Sequence, residues 1–283
     1  MGIVLSELQS MVDSGYLKKG FSFLDIGSSN LYSAPEADLL TLLESLGQSP
    51  TSYSQQVKKW ENGAAYGATT GGKNETFVGD VLNHCEIDYL SLDIADGYKT
   101  KIFDLNNQDL DRSLKNKFNL VANYGTTEHL LNQMNAFKVI HDATSLGGVM
   151  IHQLPAEGFV DHCYVRYTAR FFFDLVSTND YELLSLDFGL SPAGGKNIYD
   201  SSRDFLNYFP ALGTTLTNAP EDLKSFCVPD IALKVCIRKV EDRPFRASIE
   251  TSTSVGNIIN ALGQNRVNVS AFPIFKWLKK AFN

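Results

Sequence analysis

Short apolar runs alternate with stretches of helical period along most of this chain, and the alternation sets the expected fold. Residues Ile3–Gly15 read as an amphipathic helix, and Phe21, Phe23 and Leu24 as the core of a first strand. Pro35-Glu36 opens a second helix whose broad apolar face is Leu39, Leu40, Leu42, Leu43 and Leu46, and Gly47 closes it. Phe77–His84 reads as a helix; Ile87–Ile94, Lys99–Phe103 and Phe118–Asn123 read as three more strands. His129–Ser145 is predicted to be a helix with a core stripe of Leu130, Met134, Phe137, Ile140 and Thr144. A fifth strand at Val149–Gln153 follows, then an aromatic helix at Thr168–Ser177 in which Phe171-Phe172-Phe173 read as core. Tyr181–Phe188 and Ile231–Val240 complete the set of strands.

Strands alternating with helices through short connections predict an α/β chain: a doubly wound, mostly parallel seven-stranded sheet with helices on both faces. Two stretches interrupt the rhythm. Gln48–Asn74 is rich in Ser, Gly, Thr and Asn and reads as an insertion or lid around 48–75, with room for short helices. A loop-rich insertion spans about 189–229. The expected organisation is an N-terminal helix over 1–20, a main domain over 21–245 and a C-terminal extension over 246–283. The tail Phe272–Asn283, FPIFKWLKKAFN, reads as a helix packed on the domain or on a second subunit of a homodimer; weak anchoring at an anionic membrane surface is the alternative.

Composition narrows the partners. The chain has 283 residues, 43% of them hydrophobic, enough for one large α/β domain with additions. A net charge of −7 argues against a nucleic-acid partner. The start lacks the order of a signal peptide, and no run approaches the ~18–20 apolar residues needed to cross a bilayer, so a cytoplasmic protein without a membrane span is expected. Cys85, Cys163, Cys227 and Cys236 are scattered without a Cys-x-x-Cys pair, which opposes a zinc cage. Gly67–Asn74, GATTGGKN, nearly spells a triphosphate-binding loop. Asn74 replaces the magnesium-binding hydroxyl, however, and no buried strand precedes Gly67.

Candidate chemistry centres on Phe21–Asn30, FSFLDIGSSN: a strand, the acid Asp25, and the small-residue turn Gly27-Ser28-Ser29. Ser29 and Tyr32 stand where a dinucleotide fingerprint has its second and third glycines, and a carboxylate at the strand end repels a pyrophosphate. It suits the ammonium of an amino-acid-bearing cofactor, and S-adenosylmethionine is the inferred ligand. The first three strands all end in an acid, at Asp25, Asp93 and Asp104, matching a ligand with several donors such as a ribose diol and an adenine amine. Glu128 and His129 follow the fourth strand, His152 ends the fifth, and His162 lies in the loop after it; these four are the candidate catalytic groups on the acceptor side. His84 and His141 read as satisfied polar groups.

The segment Phe118–Glu182 contains a Gly-Thr-x-Glu-His run, an Asn-Gln-x-Asn helix, a Gly-Gly-x-Met-Ile-His strand and a Gly-x-x-x-His loop before the aromatic helix. With DIGSSN it resembles a small-molecule or glycan-modifying branch of the class I S-adenosylmethionine-dependent methyltransferases. The resemblance covers roughly Gly20–Phe188. It implies that Asp25, Gly27 and Ser28 hold the methionine part, Asp93 the ribose and Asp104 the adenine amine, with Asn123 and Tyr124 beside the methyl group. It further implies methyl transfer to a small-molecule or sugar acceptor, most simply at oxygen. Glu128, His129 and His162 are also similar to the metal ligands of the small-RNA 2′-O-methyltransferases, but Gly125 stands where that pattern has a further glutamate; a divalent metal is therefore the less favoured reading. Two other classes stay open: an NAD-type oxidoreductase, opposed by the missing glycines, and a non-catalytic domain of the same fold, opposed by the three strand-end acids.

Overall fold

The computed structural model describes residues 2–49, 54–64, 76–159, 162–190, 196–197, 227–228 and 230–250. The chain opens with strand β1 (Gly2–Val4) and helix α1 (Leu5–Asp13), whose Leu5, Leu8 and Met11 are buried in the main core. The first sheet strand, β2 (Ser22–Ile26), leads through the glycine turn to β3 (Asn30–Tyr32), which pairs in parallel with β1. Helix α2 (Glu36–Ser45) buries Leu39, Leu42 and Leu43, as their spacing requires.

The polar stretch after α2 contains a helix, α3 (Ser54–Gly63), with Val57 and Trp60 buried. Trp60 donates its indole N–H to Asp80 Oδ2 at 2.7 Å, and Thr76 Oγ1 bonds the Trp60 carbonyl at 3.0 Å. This part of the expected lid is thus anchored in the core; the Gly67–Asn74 decoy lies outside the described residues, as do the tail Phe272–Asn283 and most of 189–229.

Helix α4 (Val78–His84) is followed by β4 (Asp88–Asp93), β5 (Thr100–Ile102) and β6 (Phe118–Tyr124). Helix α5 (Gln133–Ala143) starts four residues later than its apolar stripe predicts. The Asn132 side chain accepts the Asn135 N–H at 3.1 Å and caps it there, while Thr127–His129 form a separate 3-10 turn. Strand β7 (Thr144–Glu157) is longer than predicted. Helix α6 (Ala169–Thr178), β8 (Glu182–Leu190), the short pair β9 (Lys196–Asn197) and β10 (Cys227–Val228), and β11 (Ile231–Arg238) complete the described elements.

The seven predicted strands form one sheet of order β5-β4-β2-β6-β7-β11-β8, parallel except for β11, which runs antiparallel to both neighbours. The period of two sorts side chains between two cores. Phe23, Tyr89, Leu120, Ala122 and Tyr124 face α1–α4; Leu24, Ile26, Leu92 and Val121 face α5 and α6. From β2 the chain adds strands first toward β4 and β5, then returns to β6 on the other side. The crevice at this reversal, outside the carboxyl ends of β2 and β6, is where open α/β sheets bind ligands. No helix among the described residues is long and apolar enough to cross a membrane.

Candidate active site

The turn after β2 is held from below. Gly27 has φ +97°, a conformation that side-chain-bearing residues rarely adopt, and its N–H bonds the Leu92 carbonyl at 2.8 Å, tying the turn to β4. Asp25 is 0% exposed and accepts three hydrogen bonds: from Ser29 N at 2.9 Å, Ser29 Oγ at 3.0 Å and the Tyr89 hydroxyl at 2.8 Å. Ser29, which departs from the glycine pattern, is therefore a donor to the buried acid. Burial pushes the Asp25 carboxyl up to about 7 against the pull of these donors, and the nearby Asp93 charge adds to the rise. The expectation that Asp25 touches a ligand is corrected on this geometry: its carboxylate is enclosed by protein donors and shapes the turn.

Asp93, at the end of β4, is only half-buried. Its Oδ2 accepts the Ser28 N–H at 2.9 Å and its Oδ1 the Ala95 N–H at 2.9 Å. A carboxylate offers about four acceptor positions, so two are left over. Gly97 presses against the same turn: a Cβ there would lie 2.2 Å from Ser28 Oγ, a constraint the sequence pattern did not reveal. Next to Asp93, Ile94 is 76% exposed, an apolar side chain left uncovered beside the acid. Asp104 follows β5 and accepts from Asn106 N at 2.8 Å and Asn107 Nδ2 at 2.7 Å; the Asn107 amide and Asn106 N–H hold its carboxyl below the usual range.

On the other side of the reversal, Asn123 and Tyr124 end β6 on opposite faces. Asn123 is buried toward α5 and α6, donating to Thr127 Oγ1 at 2.9 Å and to His152 Nδ1 at 3.1 Å. Tyr124 is buried toward α1, its hydroxyl donating to Glu7 at 3.3 Å. Expected together beside the methyl group, the two side chains thus point to opposite faces of the sheet. Gly125 turns the chain at φ +79°, and the Thr126 hydroxyl donates to the Ile26 carbonyl, joining this loop to the residue before Gly27.

Glu128 then enters the interior: it is 1% exposed, and its Oε2 has no hydrogen-bond partner. Burial pushes its carboxyl up to about 7. The neighbouring loops are stitched together, since Tyr164 N and Val165 N donate to the Glu128 carbonyl at 3.0 and 3.1 Å. This brings the exposed His162 ring to 5.0 Å from the exposed His129 ring, centroid to centroid. One ligand-type atom from each of Glu128, His129 and His162 lies within 4.8 Å of the others. Desolvation, then the neighbouring His162, lowers the His129 pKa, favouring a neutral imidazole that can take a proton.

His152 does not join them. It is 1% exposed, with Phe137 stacked on one ring face and Phe172 tilted against it, each at 5.3 Å, and burial pushes its pKa down to about 3. The Asn123 amide nitrogen can only donate, so the His152 proton sits on Nε2. Its expected catalytic role is corrected to that of a buried neutral group. His84 and His141 are satisfied as expected, by the Asp80 carbonyl at 2.7 Å and by the Tyr181 hydroxyl and Arg243 carbonyl at 2.5 and 2.7 Å.

No protein-family model matches the sequence, and no curated protein matches it. Solved structures do. A candidate methyltransferase of Bacillus halodurans C-125 is 12% identical, overlaps 84% of this chain and 99% of its own, and superposes with a TM-score of 0.50. The chain has the class I methyltransferase fold. The YcgJ protein of Bacillus subtilis (12% identity, 84% and 99% covered, TM-score 0.44) also matches. So does a Burkholderia thailandensis 1,6-didemethyltoxoflavin-N1-methyltransferase with 1,6-didemethyltoxoflavin and S-adenosylhomocysteine bound (8%, 84% and 78%, 0.41).

Proposed function

We propose that this chain is an S-adenosylmethionine-dependent methyltransferase that moves a methyl group to an oxygen of a small-molecule or sugar acceptor. The observation that carries the reading is the half-buried Asp93 carboxylate, fixed by the Ser28 amide of the Gly27 turn at the sheet reversal. Its remaining acceptor positions suit the two hydroxyls of a ribose, and exposed Ile94 beside it suits an adenine face. Asp104 is the candidate partner of the adenine amine. Ser28 and Gly27 contact the methionine part, with Asp25 beneath them as the positioning group. An NAD-type reading is weaker because Ser29, committed to Asp25, occupies the place where a pyrophosphate needs a bare backbone.

Methyl transfer is an in-line displacement at a sulfonium, in which the protein aligns the acceptor and excludes water. Held by Asp93, Gly27 and Ser28, S-adenosylmethionine would supply an activated methyl group to the acceptor oxygen and leave as the thioether, sulfur taking the electron pair. The acceptor proton goes to the Glu128–His129–His162 cluster, for which the neutral His129 imidazole is the first candidate and His162 the second. The test is calorimetry with S-adenosylhomocysteine and with NAD, followed by a mass-spectrometric screen of a metabolite extract for methylated products. Binding of S-adenosylhomocysteine alone and a product heavier by one methylene are expected; binding of NAD in its place refutes the reading.

A further inference from the structure

The start of α5 carries the run Asn132-Gln133-Met134-Asn135, to which the proposed function gives no role. Two of its carboxamides make the same kind of contact on opposite sides. The Gln133 Nε2 group donates to the Thr127 carbonyl at 2.7 Å and to the Leu130 carbonyl at 2.6 Å, the backbone oxygens that bracket Glu128 and His129. The Asn135 Nδ2 group donates to the Leu105 carbonyl at 2.8 Å and to the Gln108 carbonyl at 2.9 Å, in the loop that follows Asp104. A primary amide has two N–H donors, and in each case both go to one loop. Residues two apart on a helix lie about 200° apart around its axis, so a single helical turn reaches two separate loops. Asn132 adds to the Asp104 side: its N–H donates to Asn106 Oδ1 at 3.0 Å and its Nδ2 to the Asn106 carbonyl at 2.7 Å. We infer that Gln133 and Asn135 are positioning residues, and that the first turn of α5 is a double clip fixing the Glu128–His129 turn against the Asp104 loop. Their part in catalysis rests on the methyltransferase reading; the clip itself does not.

The Glu128–His129 turn needs such support. It is a 3-10 turn, whose hydrogen bonds have poorer geometry than those of an α-helix, and its His129 and Leu130 N–H groups reach the Thr126 and Thr127 carbonyls at 3.1 Å each. The far end of the Gln133 amide is fixed as well. Its Oε1 can only accept, and it takes the Tyr167 hydroxyl proton. The Tyr167 oxygen lies 3.0 Å from Thr127 Oγ1, which the Asn123 amide reaches at 2.9 Å. Two carbonyls on one side and a hydroxyl on the other leave the Gln133 carboxamide one orientation. Glutamate has the same shape but would turn an acceptor toward both carbonyls, so Gln133→Glu opens the clip without leaving a hole. Asn135→Asp does the same on the other side. An acid in the first turn of a helix is favoured by the helix dipole, which keeps α5 intact in both variants.

The test is amide hydrogen exchange on the full chain, read by mass spectrometry in wild type and the two variants. Gln133→Glu should speed exchange over Thr126–Leu131 about tenfold or more and leave Leu105–Asp109 and β4 unchanged; Asn135→Asp should do the reverse. Unchanged exchange in both loops overturns the inference, and so does equal speeding throughout the chain. Should either variant fail to fold by circular dichroism, Tyr167→Phe, which frees only the far end of the Gln133 amide, and Asn135→Ala take their places. Kinetics on the acceptor found in the metabolite screen separate positioning from mere support. Gln133→Glu should lower kcat about 10- to 100-fold, the scale of a misplacement near 1 Å, with KM and the Kd for S-adenosylhomocysteine near wild type. Asn135→Asp should instead raise that Kd about 5- to 10-fold. Wild-type kcat in a Gln133→Glu protein with a loosened turn overturns the positioning role of Gln133, and an unchanged Kd in Asn135→Asp overturns that of Asn135. A wild type that binds no S-adenosylhomocysteine removes the transferase reading, and the exchange result alone then decides the clip.

Discussion

Asp93→Ala is the sharpest test of the cofactor side. Each carboxylate oxygen already accepts one backbone N–H at 2.9 Å and has one further position to offer, so a ribose diol would add two charge-assisted bonds. Such bonds are individually worth about 1.5–3 kcal/mol when buried. Half-burial at a crevice rim discounts the pair to about 1–3 kcal/mol in total. At 1.4 kcal/mol per tenfold, the Kd for S-adenosylhomocysteine should rise about 5- to 150-fold. Asp93 also holds the Ser28 amide, and alanine releases it; Asp93→Asn supplies the control, retaining one neutral oxygen for that amide while losing the charge and an acceptor. Calorimetry on all three proteins, with melting temperatures to confirm folding, decides the matter. Intermediate weakening in the asparagine variant supports ribose binding. Affinity within twofold of wild type in both variants refutes it, and loss in alanine with full recovery in asparagine would show that Asp93 acts only by holding the turn.

Ser29→Ala removes a donor from a fully buried carboxylate and should cost about 1–3 kcal/mol in urea denaturation. Asp25 should make stability fall with pH: the unfolded carboxyl releases its proton near 3.8, the folded one near 7, so the folded state weakens as pH rises between them, by up to about 4 kcal/mol. His152, lowered to about 3, acts in the opposite sense between about 3 and 6.5, so the informative quantity is the wild-type curve minus that of Asp25→Asn; a difference that is flat from pH 4 to 8 would refute the assignment. Once an acceptor is found, His129→Ala should lower kcat by about 10²- to 10⁴-fold and leave the S-adenosylhomocysteine Kd nearly unchanged; a parallel loss in both would place His129 against the cofactor.

The seven strands were legible because each is an apolar run bounded by turn residues, whereas their order in the sheet depends on long-range pairing that no local pattern carries. Helix α3 was hidden in a polar stretch, although Val57, Trp60 and Ala64 recur at helical spacing and are the residues that bury. The start of α5 was misplaced because Leu130 continues the apolar stripe, whereas the Asn132 cap is a local signal that outweighs it. Strand alternation should have separated Asn123 from Tyr124, since adjacent positions face opposite sides. The enclosure of Asp25 was beyond reach: it depends on Tyr89, which lies 64 residues away in sequence and reaches it from the neighbouring strand. Grouping Glu128, His129 and His162 was possible from their positions at strand ends, while His152, also at a strand end, alternates into the aromatic core.

The two strand-end acids of the cofactor side divide their labour by burial. Asp25 spends its acceptors on Ser29 and Tyr89, fixing the turn without meeting solvent, while Asp93 grips the same turn through Ser28 and stays half-open. A turn clamped by two carboxylates changes shape little on binding, which spares the ligand the ordering of a loop. The acceptor loop is tied to this clamp by the Thr126 hydroxyl on the Ile26 carbonyl, the residue between Asp25 and Gly27. The Glu128–His129 segment, the proposed proton acceptor, therefore begins two residues from an anchor on the proposed cofactor turn. For an in-line displacement, where a misplacement of about 1 Å can cost 10²-fold in rate, a short rigid link between the two sides matters more than any single contact with the acceptor. On the proposed function, changes around His162 would alter the acceptor side while the Thr126 bond keeps the start of the Glu128–His129 segment tied to the residue before Gly27.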